Sequence, residues 1–111
     1  EGSIEIIGLN GRMDKKLEIY CYRIIQEALS NIVKHSGATE FGIILVKEDK
    51  LVRIIVTDNG TGLITKDDYN EKSGFGLINM KERTEGLGGI FRINSTENEG
   101  LTIIAEVPIK R

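Results

Sequence analysis

From Leu17 to Ile32 the residues Leu17, Cys21, Ile24, Ala28 and Ile32 recur at three- and four-residue intervals. That is the period of an α-helix with one buried stripe, and such a stripe needs a surface to pack against. The rest of the chain supplies one. Residues 41–46 and 51–56 are rich in β-branched side chains and are joined by the polar turn Glu48-Asp49-Lys50, which predicts a β-hairpin. Polar and apolar residues alternate only weakly there, so both faces are expected to be partly covered.

A second helical pattern, Leu77, Met80, Thr84 and Leu87, follows Gly74-Phe75-Gly76 and stops at Gly88-Gly89. Residues 90–93 and 101–107 predict a second hairpin around Asn98-Glu99-Gly100, with Leu101, Ile103, Ala105 and Val107 on one face. At the other end, Ile4, Ile6 and Ile7 open the chain as a short strand, and Asp14 is placed to cap the first helix. The order β-α-β-β-loop-α-β-β predicts a two-layer α/β sandwich, a mixed sheet of about five strands with helices on one face. With 111 residues and no repeat or linker, residues 1–111 are expected to form a single domain.

Charge and cysteine content narrow the function classes. A net charge of -2 argues against a nucleic-acid backbone as partner. No apolar run reaches the ~20 residues that cross a bilayer, so this domain is not expected to insert into a membrane. The one cysteine, Cys21, fits a reducing compartment, and the expected location is cytoplasmic, including the cytosolic part of a membrane-bound sensor. The chain begins at Glu1 without a signal-peptide pattern and is expected to be a piece of a longer protein.

The first helix carries a second stripe beside the apolar one. At about 100° per residue, Glu27, Asn31 and Lys34 fall within roughly 60° of one another, and Arg23 continues the line. This line reads either as a solvated face with an Arg23–Glu27 ion pair or as a metal–phosphate site. In the second case Asn31 offers a neutral oxygen to Mg²⁺, Lys34 a cation to phosphate oxygens, and Glu27 a group to orient or deprotonate a nucleophile.

Two glycine segments follow. Asp58-Asn59-Gly60-Thr61-Gly62 ends a hydrophobic strand, where a carboxylate is held fixed and the glycines permit close approach to a ligand. The same residues also make a good plain turn. Gly74-Phe75-Gly76 opens a helix, whose N-terminal amides attract anions. Between them, residues 63–73 lack apolar periodicity and are expected to be a mobile lid.

In this order the segments resemble a known family, the GHKL (Bergerat) ATP-binding fold of histidine kinases, MutL and type II topoisomerases. Gln26-Glu27-Ala28-Leu29-Ser30-Asn31-Ile32-Val33-Lys34-His35 is similar to its N box, Asp58-Asn59-Gly60-Thr61-Gly62 to its first glycine box and Gly74-Phe75-Gly76-Leu77 to its second. Tyr22-Arg23-Ile24-Ile25-Gln26-Glu27-Ala28, Gly76-Leu77-Ile78-Asn79-Met80-Lys81-Glu82-Arg83 and Leu87-Gly88-Gly89 resemble sensor kinases paired with NarL/LuxR-type response regulators. The resemblance covers nearly the whole chain.

What the resemblance implies is specific. Asp58 would accept a hydrogen bond from the adenine amino group, Asn31 would coordinate Mg²⁺ and Lys34 would contact phosphate. His35 would lie against the nucleotide, and it is not expected to be a phosphoacceptor. Gly60, Gly62, Gly74 and Gly76 would shape the pocket and hinge its lid, with Phe75 and Leu77 beside them. Gly100-Leu101-Thr102 matches the family's last box in part, because Leu101 stands where threonine is usual, and Thr102 would join the adenine contacts. The implied activity is transfer of the γ-phosphoryl of ATP to a histidine on a separate dimerisation domain, with Glu27 helping to polarise the incoming imidazole. ATP or ADP, that dimerisation domain and a NarL/LuxR-type regulator are the implied partners. An ATPase, an anti-sigma-type serine kinase or a non-catalytic nucleotide sensor would use the same site.

Overall fold

A computed structural model of the protein describes residues 2–7, 14–32, 40–60, 77–96 and 100–109. Its elements are β1 (Gly2–Ile7), α1 (Lys15–Asn31), β2 (Phe41–Lys47), β3 (Leu51–Asp58), α2 (Leu77–Gly86), β4 (Ile90–Thr96) and β5 (Gly100–Pro108). They form the expected α/β sandwich. The sheet runs β1-β2-β3-β5-β4, and it is mixed, since β1 pairs with β2 in parallel while every other pairing is antiparallel.

The helix stripes bury as their period requires. Leu17, Cys21, Ile24 and Ala28 of α1, its C-cap Ile32, and Leu77, Met80 and Thr84 of α2 are buried, and the apolar ones pack with Ile43, Leu45, Val52, Ile54, Val56, Ile103 and Val107 of the sheet. Asp14 caps α1, its side chain accepting from the Lys16 amide at 3.4 Å. At the far end of α2, Gly88 adopts φ +80°, the Gly89 amide donates to the Thr84 carbonyl at 2.9 Å and the Gly88 amide to the Glu85 carbonyl at 2.9 Å. This pair of bonds around a left-handed glycine stops the helix where the sequence pattern stops.

The strands alternate more cleanly than their composition. In β3 the buried positions are Val52, Ile54, Val56 and Asp58, while Leu51, Arg53 and Ile55 are half-buried. The opposite face is therefore apolar in part but carries polar devices of its own, including Arg53 bonded to Glu106 across the β3–β5 pair at 2.6 Å.

Topology fixes the helix directions. Because β1 and β2 are parallel, α1 between them runs against both, and so runs along with β3. β3 and β4 are both antiparallel to β5, hence parallel to each other, and α2 between them runs against β3. The two helices are antiparallel neighbours. The C-terminal ends of α1 and β3, the N-terminal end of α2 and the start of β5 all meet at one end of the sandwich.

Candidate functional site

At that end β3 finishes in Asp58, two residues past its apolar run. The alternation that buries Val52, Ile54 and Val56 also turns Asp58 to the helix side, where it is 9% exposed. Its Oδ1 accepts a hydrogen bond from the Gly60 amide at 2.8 Å, a local turn that fixes the carboxylate. Among the described residues Oδ2 has no such partner, and it is the oxygen a ligand can use. Gly60 is itself buried.

The glycine turn is tied to its neighbours. The Asn59 amide donates to the Glu40 carbonyl at 3.1 Å, and the Glu40 amide donates to Asn59 Oδ1 at 2.9 Å. Gly100, at φ +96°, opens β5 against the same turn, and a Cβ there would overlap the Asp58 carbonyl oxygen. Glu40, Phe41, Thr57, Asp58 and Asn59 are among the residues that line a recess of about 540 Å³ at this end. Glu40 does not stand among the residues singled out from the sequence, and Gly100 stands there only in a turn and a partial motif, with no role of its own. Glu40 carries no sequence signal, whereas Gly100 sits in the strand-opening triplet Gly100-Leu101-Thr102.

The structure brings several predicted residues to this one end. Glu27, half-buried, and Asn31 occupy the last two turns of α1, and Leu77, buried, opens α2. Only the place of Asn31 in its helix is described. The Arg23–Glu27 ion pair that their spacing permits is not formed among the described residues. Thr102 does not face Asp58. It pairs with Thr57 on the face away from the helices, while Leu101 pairs with Asp58 and packs toward the core. Lys34, His35, Gly62, Gly74, Phe75, Gly76 and the expected lid at 63–73 lie outside the described residues. Among the described residues no helix is long and apolar enough to cross a membrane.

Comparison with known proteins agrees with this layout. Residues 17–111 match the family described as histidine kinase-, DNA gyrase B-, and HSP90-like ATPase. The sensor histidine kinase LiaS of Bacillus subtilis is 40% identical over 97 residues, covering 87% of this chain and 26% of LiaS. The histidine-protein kinase/phosphatase DegS of Brevibacillus brevis is 36% identical over 104 residues, covering 93% of this chain and 26% of DegS. The chain thus spans about a quarter of the length of these relatives. Among solved structures, the catalytic domain of histidine kinase ThkA superposes with a TM-score of 0.75 at 17% identity, over 98% of this chain and 78% of that one. Acinetobacter baumannii AdeS gives 0.76 at 14%, over 99% and 54%. At those identities the superpositions speak for the fold, and the sequence matches carry the family. The chain belongs to the histidine kinase-, DNA gyrase B- and HSP90-like ATPases, as an ATP-binding catalytic domain of the sensor histidine kinase kind.

Proposed function

We propose that this chain, as one catalytic domain, binds Mg²⁺-ATP and passes its γ-phosphoryl group to a histidine on a separate dimerisation domain in a two-component system. The observation that carries this reading is Asp58, a buried strand-end carboxylate with one oxygen pinned by Gly60 and the other left for a ligand. An ionised carboxylate only accepts hydrogen bonds, so it suits the exocyclic amino group of adenine. Gly60 and, next in the motif, Gly62 carry no side chain that would block the ring.

The phosphates would then run toward the facing helix ends. Gly74 and Gly76, with Phe75 between them, precede the α2 N-terminus at Leu77, whose free amides favour anions. Lys34 adds a cation and His35 a ring against the nucleotide. Mg²⁺ takes few protein oxygens and keeps several waters, and Asn31, one turn beyond Glu27, is the residue we assign to hold it. The metal would neutralise charge on the phosphates. Glu27 orients the incoming imidazole, and in-line positioning accounts for most of phosphoryl-transfer catalysis. The residue pattern around Met80-Lys81-Glu82-Arg83 favours a NarL/LuxR-type regulator as the eventual acceptor.

The test supplies the missing substrate. Incubated with labelled ATP and the histidine-bearing dimerisation domain of the same kinase, this chain should place label on that partner and none on His35. Hydrolysis to ADP with no label on the partner, or label retained on this chain, would overturn the reading.

A further inference from the structure

Away from the nucleotide end, the two helices are joined by a buried hydroxyl relay. Tyr20 of α1 and Thr84 of α2 are 5% and 0% exposed, and Tyr20 Oη lies 2.7 Å from Thr84 Oγ1. Thr84 Oγ1 in turn donates to the Met80 carbonyl at 2.7 Å. A hydroxyl has one proton, and a carbonyl can only accept. With the Thr84 proton committed to Met80, the Tyr20 hydroxyl must be the donor to Thr84. The relay therefore has a direction, from Tyr20 to Thr84 to the Met80 carbonyl, and each step satisfies a group that burial would otherwise leave costly. Thr84 also anchors the end of α2 through its carbonyl, which accepts from Leu87 at 3.2 Å and from Gly89 at 2.9 Å.

The place of this relay along the helices has a consequence at the site. Glu27 stands about two turns after Tyr20, ~10 Å along α1 and on nearly the same side of the helix. Leu77 stands about two turns before Thr84 on α2, again ~10 Å away and on the same side. The helices are antiparallel, so both displacements point the same way. Glu27 and Leu77 therefore stand at about the same height along the helix pair as measured from the Tyr20–Thr84 contact.

We infer that Tyr20 and Thr84 are positioning residues for the nucleotide site: their hydrogen bond fixes the axial height and rotation of α2 on α1. It thereby fixes where the helix start after Gly76 stands relative to Glu27 and Asn31. The inference rests on the nucleotide reading above only for its functional consequence. Apolar burial is non-directional, whereas a buried hydrogen bond has one geometry and so one register.

Two measurements on the 111-residue chain separate the parts. In the nucleotide-free protein, amide chemical shifts of residues 77–80 and of Glu27 should move in Thr84→Val and in Tyr20→Phe, and stay in place in Thr84→Ser. By titration calorimetry with ATP, the first two variants should bind about tenfold more weakly and Thr84→Ser within about twofold, since an order of magnitude is well within the cost of losing a buried hydrogen bond. Tyr20→Phe leaves the Thr84–Met80 bond intact, so it remains informative where Thr84→Val folds poorly. Wild-type amides that do not respond to ATP would remove the nucleotide reading, and the shift map alone would then judge the pin. Unmoved amides at 77–80 in both Tyr20→Phe and Thr84→Val would overturn it, as would Thr84→Ser behaving like Thr84→Val.

Discussion

Gly100 and Asp58 meet backbone to backbone: Gly100 opens β5 at φ +96°, pressed so closely on the Asp58 carbonyl that no side chain fits between them. The register of β5 places Leu101 opposite Asp58, so Gly100 sits just beyond the end of the strand that carries the carboxylate. Gly100→Ala should destabilise the domain by about 2 kcal/mol or more, from the left-handed backbone strain of ~1–2 kcal/mol plus the overlap. It should also weaken nucleotide binding beyond what unfolding explains, because Asp58 must shift. Urea unfolding with a parallel ATP titration measures both. A variant as stable as wild type would show that the turn yields freely.

Asn59 should behave differently. Asn59→Ala removes the acceptor of the Glu40 amide but keeps the backbone bond to the Glu40 carbonyl. Glu40 is exposed, so water can replace the lost partner, and the cost should be only about 0.5–1.5 kcal/mol. Denaturant midpoints check this, and a loss above about 3 kcal/mol would mean that Asn59 carries more of the turn than its bond to Glu40 explains.

Two buried acids predict an alkaline limit to stability. Burial pushes Tyr20 from 10.0 up to about 12, and burial with the nearby Glu18 charge pushes Cys21 from 9.0 up to about 11. Both hold their protons more tightly when folded. Their contributions are therefore complete below about pH 9 and are lost as pH rises from 9 to 12. Each amounts to on the order of 2–3 kcal/mol. Unfolding free energies at pH 8, 10 and 11 should fall steeply in wild type and less so in Tyr20→Phe and Cys21→Ala. Equal slopes in all three would contradict the assignment.

How much of this was legible in the sequence depends on the range of each interaction. The α1 stripe, the two hairpins and the glycine stop of α2 follow from local period and turn chemistry, and the helices lie where those patterns put them. Tyr20 carried a signal that its polar group masked. It falls three residues after Leu17 and four before Ile24, within the buried stripe. The parallel pairing of β1, the insertion of β5 between β3 and β4, and the meetings of Asn59 with Glu40 and of Gly100 with Asp58 are long-range. No local pattern encodes them. Thr102 shows the same limit at single-residue scale. Its place in Gly100-Leu101-Thr102, a partial match to the family's last box, suggested the adenine site, but strand register puts it on the sheet face opposite Asp58.

Asn31 offers a test of the metal assignment independent of turnover. Asn31→Ala should leave the fold intact, since Asn31 is the last residue of α1 and alanine is a good helix former. It should remove most of the Mg²⁺ dependence of ATP binding seen by calorimetry. Full retention of that dependence would move the metal to another ligand.

The central claim is that the Asp58 end of the sandwich reads adenine, and competition titration of ATP against GTP, with wild type and Asp58→Ala, tests it most directly. Guanine presents a carbonyl oxygen where adenine has its amino group, which would set acceptor against acceptor at the free Asp58 oxygen. A site built on one specific hydrogen bond can discriminate by up to ~10⁴, and a partly solvated one by on the order of 10²–10³, roughly 3–4 kcal/mol. Wild type should prefer ATP by that margin, and Asp58→Ala should lose the preference mainly by weakening ATP while its unfolding transition stays cooperative. Equal binding of ATP and GTP by wild type, or an undiminished preference in Asp58→Ala, would contradict the account.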